Sequence, residues 1–243
     1  MVCRAGIGVS VVNSHVMTLQ QLSRWIARGE GAFLEFKKRV PAPERVAKEV
    51  IAFANTRGGR VLIGIQDDGS VVGVKDAAEE EYALEQALAR HSDPPVAFAI
   101  ERVPVTSKRD AIVVMVRESR NKPHFLVHGG VRTAYIRVDD MSLEASREAV
   151  RLMRPREEDV LIKIREKERL LLRYLDHYGK INVRQFARLA GISRKMASHT
   201  LVLLTRADML EHHPDENEDF FTHGKELLDA YHARPAPRRH QHS

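Results

Sequence analysis

The sequence predicts an α+β fold built on a mixed sheet, followed by a second, mainly helical domain. Up to Met153, short apolar runs alternate irregularly with helical periodicities, without the strand-helix-strand repeat of a doubly wound parallel sheet. Arg154-Pro155 and the acidic residues after it interrupt that pattern. Beyond them the spacing is helical, with two short β-like runs near the end.

Residues ahead of Met17 show no clear pattern, so 1–17 are set aside as a leader, with Met17 a candidate start. Met17-Thr18-Leu19 opens an amphipathic helix through Leu22, Trp25 and Ile26, and Phe33-Leu34-Glu35-Phe36-Lys37 reads as a strand. Val46, Val50, Ile51 and Ala54 form one apolar helical stripe, stopped at Asn55 and Gly58. Residues 61–65 have the length of a buried strand; Asp68-Gly69 is a favoured hairpin turn, and residues 71–74 return as the partner strand. A helix over 79–90, apolar at Tyr82, Leu84, Ala87 and Leu88, ends at Ser92-Asp93-Pro94-Pro95. Strands follow over 96–103, 111–117 and 125–127, the last paired through Gly129-Gly130 with 134–138. A helix over 143–153 closes the first domain, which spans 18–154.

The second domain spans 155–225. Val160, Ile164, Leu171, Leu172 and Leu175 mark a long helix, and residues 183–189 a short one. Ala190-Gly191-Ile192 makes a turn, after which Ser193 is a good N-cap for a helix over 194–206 whose Ala197, Leu201 and Leu204 face the core. Residues 209–213 and 220–222 read as two strands around Pro214-Asp215-Glu216-Asn217. The tail over 226–243, rich in Pro, Arg and His from Arg234, reads as disordered.

With 243 residues, 43% hydrophobic and 30% charged, the chain has the composition of a soluble globular protein. No apolar run approaches the ~20 residues that span a bilayer, and no signal peptide opens it, so a cytoplasmic protein without a membrane partner is expected. The single cysteine, Cys3, offers neither an internal disulfide nor a metal cluster. A net charge of +6, spread over both domains, favours a polyanionic partner only mildly, so the motifs must decide.

Those motifs are ordered. Glu30 precedes Glu35-Phe36-Lys37, a helix ends in Ala52-Phe53-Ala54-Asn55-Thr56-Arg57-Gly58-Gly59, Lys122-Pro123-His124 follows, and Tyr135-Ile136-Arg137-Val138 comes last. Together they resemble the Schlafen-type AlbA domain, the second AlbA family, over roughly residues 18–154. The resemblance implies a nucleic-acid face. Lys37 and Lys38 (with Arg39 beside them) follow the Glu35 strand, Arg57 and Arg60 flank the Gly58-Gly59 turn, and Arg137 lies in the last motif. The glycine amides could approach a phosphate, but Gly-Gly after a helix also serves as a plain C-cap. The second domain resembles a winged helix-turn-helix, which implies duplex DNA as partner, Arg194, Lys195, Ser198 and His199 on the outward face of the reading helix, and a homodimer on paired half-sites. That reading makes the protein a DNA-binding transcriptional regulator needing no cofactor. Asp215, Glu216, Glu218 and Asp219 in the wing would repel phosphate, which leaves a protein-docking module open. His212 and His213 suggest a metal site only weakly, because adjacent histidines in a strand point to opposite faces.

An enzymatic reading also follows from the resemblance, because animal Schlafens include endoribonucleases built on two glutamates and an aspartate. Matched residue by residue, Glu30, Glu35 and Asp67 would hold Mg or Mn and act catalytically in a metal-dependent RNase. Gln66 stands where the first hairpin acid is usual, Asp139-Asp140 stands where Gly-Ser is usual, and Glu35 could equally pair with an Arg or Lys of a neighbouring strand. The family's ATP-binding label finds little support. Gly64 and Gly69 have the spacing of a phosphate loop, but Ser70-Val71 replaces its Lys and hydroxyl residue.

Overall fold

The computed structural model describes residues 17–155 and 164–225. They fall into two compact units that divide between Ala145 and Ser146. Residues 1–16 of the leader, with Cys3, as well as Val160 and the tail, lie outside the described residues.

In the first unit, α1 (Leu19–Ile26) starts at Thr18, whose side chain accepts from the Gln21 backbone in a capping box. β1 (Leu34–Lys37), α2 (Pro43–Asn55) and β2 (Gly59–Ile63) form a crossover unit, with β1 and β2 parallel and Glu35 opposite Val61. After α3 (Ala77–His91) come a short β3 (Ser92–Asp93), then β4 (Phe98–Thr106) and β5 (Arg109–Val116), an antiparallel pair. β5 pairs with β2, which gives a four-stranded mixed sheet in the order β1, β2, β5, β4. β6 (Phe125–His128), β7 (Val131–Val138) and β8 (Met141–Glu144) join β3 in a second, antiparallel sheet. The mixed α+β class is as the sequence predicts.

One face of the first sheet, with Leu34, Phe36, Leu62 and Val113, packs on Leu22 of α1. The other face, with Val61, Ile63, Ile112 and Val114, packs on α2 and α3. Each fully buried side chain of this kind stabilises by about 1.5–3 kcal/mol relative to exposure. The sequence shows a single apolar stripe on α2, yet every residue from Val50 to Asn55 is buried. The helix has the first sheet on one side, while on the other Asn55 bonds to the carbonyls of His124 and, on β7, Tyr135.

Two expectations change. Residues 71–74 form no strand ladder, only the isolated bridges Ile65 to Val71 and Val74 to Asp110. The chain is instead drawn against Gly64, where a Cβ would come within 2.9 Å of the Gly73 Cα. The helix expected over 143–153 is shorter, because Asp139-Asp140 forms a two-residue hairpin turn, Asp139 at φ 50°, that pairs Val138 with Met141 and draws Leu143 into β8.

The second unit opens with α4 (Arg147–Met153), so the division comes nine residues before the expected boundary at 154. Then follow α5 (Glu166–Tyr178), α6 (Val183–Leu189), α7 (Arg194–Arg206) and an antiparallel hairpin, β9 (Leu210–His213) with β10 (Phe220–His223). Leu171, Leu175, Phe186, Leu201, Leu204 and Phe221 are the centre of its own core. Ile181, ahead of α6, bridges to Phe221 and extends the hairpin by a third segment that the sequence did not reveal. Among the described residues no helix is long and apolar enough to cross a membrane.

Candidate nucleic-acid interface

The ordered motifs of the first unit meet in a buried network. Arg137 reaches from β7 toward β1, and its side chain is only 1% exposed. Nη2 donates to Glu35 Oε2 at 2.6 Å, Nη1 to Glu49 Oε2 on α2 at 3.0 Å, and Nε to the Gly31 carbonyl at 3.2 Å. Ser142 on β8 donates to the same Glu49 oxygen. The guanidinium also lies 5.0 Å from the centre of the Phe53 ring. One arginine thus joins both sheets through α2. Arg137, which the sequence places on a nucleic-acid face, is instead buried with its donors spent inside. Glu35 is an ion-pair partner, and its arginine comes from the other sheet rather than from a neighbouring strand.

Asn55 completes the scaffold. Its Nδ2 donates to the carbonyls of His124 at 2.8 Å and Tyr135 at 2.9 Å, while its Oδ1 accepts from the His124 N–H at 2.8 Å. Thr56 Oγ1 accepts from the Arg137 N–H at 2.8 Å. His124 Nδ1 faces the Pro94 carbonyl and Nε2 the Ser119 hydroxyl, and burial pushes the imidazole below its ordinary pKa. Gly58 spends its N–H on the Phe53 carbonyl. A Cβ on Gly58 would lie 2.7 Å from the Val116 carbonyl oxygen, and one on Gly59 2.3 Å from the Phe53 ring. The glycine pair therefore serves close packing, the plainer of its two readings.

Glu30, Glu35 and Asp67 do not converge. Glu30 is exposed and accepts the Phe36 N–H at 2.7 Å, Glu35 is held by Arg137 and Lys37, and Asp67 is exposed on the turn. Asp68 is tied to Ser70, whose hydroxyl and then N–H hold its carboxyl below the usual value. Among the described residues no three His, Cys, Asp or Glu side chains are placed to hold a metal ion. The triad drawn from the resemblance is thus not assembled as a ligand set, because its central carboxylate is committed to an arginine.

Lys37 is likewise occupied, by Glu35 and by the Phe36 carbonyl at 2.9 Å. The exposed cations of this unit include Lys38, and Arg57, whose guanidinium lies 5.0 Å from the centre of the exposed Phe33 ring. Arg60 is half-buried, 4.3 Å over Trp25, with Nε enclosed.

In the second unit Ser193 caps α7 by accepting the Met196 N–H at 3.2 Å, which leaves Arg194 and Lys195 exposed on its first turn. Ser198 is buried, and His199, though exposed, is engaged by α4. Ser198 is 9% exposed, donates to Glu148 of α4 and accepts from Arg151 at 3.3 Å. His199 Nδ1 accepts from Arg151 at 3.0 Å. Partial burial, then the charges of Arg151 and Lys167, lower the His199 pKa. Arg206 binds the Arg151 carbonyl at 2.7 Å. α4 therefore buries Ser198 and engages His199, which stays exposed, a contact invisible to helical periodicity. The wing acids are partly spent as well. Asp219 takes His212 Nε2 at 2.6 Å and the Ser146 hydroxyl, and these bonds outweigh its burial and lower its pKa. Glu218 meets Asn182 at 2.9 Å and Arg184 at 3.4 Å.

No curated protein matches the chain. Among solved structures, the DIP2311 protein from Corynebacterium diphtheriae is similar at 20% identity and a TM-score of 0.37, over 48% of this chain and 26% of that one. The present chain thus matches about a quarter of that protein's length. Residues 30–146, the stretch that holds the Arg137 network and the Asn55 clamp, match the family described as Schlafen, AlbA_2, and it is this family that the first unit resembles.

Proposed function

We propose that the protein is a DNA-binding regulator in which the second unit reads duplex DNA as a winged helix-turn-helix. An AlbA-type domain points to nucleic-acid interaction in general. The observation that carries the finer reading is the first turn of α7, where Arg194 and Lys195 stand exposed after a capped N-terminus, in a helix-turn-helix followed by a hairpin. Helix N-termini and paired cations suit phosphate oxygens. Arg57 and Lys38 offer further phosphate contacts on the first unit.

The test is fluorescence anisotropy with duplex DNA over a salt series. Each phosphate contact removed lowers the salt slope by about 0.9. Arg194→Ala with Lys195→Ala should reduce the slope by about two and weaken binding by at least about tenfold at low salt. An unchanged slope would assign the second unit to protein docking.

A further inference from the structure

A cavity of about 590 Å³ opens in the first unit between the segment after β1, the 72–76 loop and the start of α3. Its size is in the range of small-molecule sites, ~300–1,000 Å³. Lys38, Arg39, Lys75 and Arg109 line it, and none of the four pairs with a carboxylate among the described residues. Elsewhere in this unit Lys37, Lys48, Arg102, Lys122, Arg132 and Arg137 all have acidic partners. Arg109 is held in place, since Nη1 donates to the Gly73 carbonyl at 2.9 Å and the Val72 carbonyl at 3.3 Å. Gly73 lets the loop close on that arginine, for a Cβ there would lie 3.0 Å from the Arg109 Cβ.

The acids of the cavity are not equivalent. Asp76 accepts the Glu79 N–H at 3.0 Å, which caps the start of α3, and Glu80 Oε2 accepts the Val40 N–H at 2.7 Å. Glu79 is exposed at the rim, and its carboxylate has no hydrogen bond or ion pair among the described residues. Four cations without acidic partners suit a dianion, whereas a free carboxylate beside them suits a hydroxyl donor.

We propose that this cavity binds a phosphate monoester of a sugar, with the phosphate on Lys38, Arg39, Lys75 and Arg109 and a sugar hydroxyl on Glu79. The ligand is either a free sugar phosphate or the phosphorylated 5′ end of a nucleic acid. The site stands independently of duplex reading by α7.

Isothermal titration of the full chain at low salt with ribose 5-phosphate, inorganic phosphate and ribose tests it. Ribose 5-phosphate should bind saturably and at least about tenfold more tightly than phosphate, and ribose should not bind. Arg39→Glu with Lys75→Glu changes exposed residues only, so folding should persist by circular dichroism while affinity falls at least about tenfold. Glu79→Gln should bring ribose 5-phosphate toward the affinity of phosphate. Competition by a 5′-phosphorylated oligonucleotide, but not by its 5′-hydroxyl counterpart, would identify a nucleic-acid end as the natural source. Absence of saturable ribose 5-phosphate binding, or binding that survives the double charge reversal, overturns the proposal. Duplex affinity measured on the same variants separates this outcome from failure of the DNA-reading role.

Discussion

Arg137 carries a full charge with almost no exposure, and it is tolerable there because its donors meet two carboxylates, a hydroxyl and two backbone carbonyls. Replacing a whole buried ion cluster by apolar groups can be neutral, but removing one member strands the others. Arg137→Ala should therefore cost about 3–5 kcal/mol in urea unfolding, and Arg137→Lys should recover little, because one ammonium cannot span Glu35, Glu49 and the Gly31 carbonyl. A loss below about 1 kcal/mol would show the network to be solvated. Asn55 supports a sharper comparison. Asn55→Ala leaves buried partners unpaired at about 1–3 kcal/mol each, while Asn55→Asp sets a carboxylate against the two carbonyls that now accept from Nδ2, so Asp should be the more damaging change. Equal losses would mean that water enters the site.

At the scale of elements, what could be read from the sequence depended on how local the determining contacts are. α1, α3, α6 and α7 each present a one-sided apolar pattern or a capping side chain, and they form where the spacing predicts. The strand over 141–144 was hidden because Leu143 and the residues after it also fit a helical spacing, and only pairing with β7 distinguishes the two. The candidate site divides similarly. Exposed Lys38, Arg57, Arg194 and Lys195 were readable as cations on turns and helix starts, but the fate of Arg137 depends on Glu35 and Glu49, distant in sequence. Ser198 and His199 both point outward by periodicity, yet α4 buries the first and holds the second, which stays exposed, through Arg151. That contact has a pH signature. His199 faces Arg151 and Lys167 and has a lowered pKa, so the unfolded chain binds its proton more readily. Its stabilising contribution is full above the ordinary histidine range and is lost as pH falls through it. His199→Gln should flatten part of the acid loss of stability of the second unit between about pH 8 and about pH 5, while the contribution of His124 in the first unit persists. Thermal melts at the two pH values decide this, and an unchanged difference removes the role of His199.

The molecule as a whole consists of two units with separate cores, one around α2 and the two faces of the mixed sheet, the other around Phe186, Leu201 and Phe221. Nothing in the composition marks where one ends, and Arg154-Pro155 looks like the natural break. The division lies instead at Ser146, whose hydroxyl both caps α4 through the Ala149 N–H and donates to Asp219 beside β10. α4 thus belongs energetically to the second unit, to which it brings Glu148 and Arg151 for Ser198 and His199. Two fragments test this, one over 146–225 and one over 155–225. Both retain the apolar core of α5, α6, α7 and the hairpin, so both should show helical circular dichroism. The shorter one leaves Ser198, His199 and Asp219 without their α4 partners, and it should unfold at lower urea, by about 1–3 kcal/mol. Its α7 would then be uncovered, so if α4 limits access to the reading helix, the shorter fragment should also bind duplex DNA more tightly despite its lower stability. Equal stability of the two fragments would move the boundary back to Pro155.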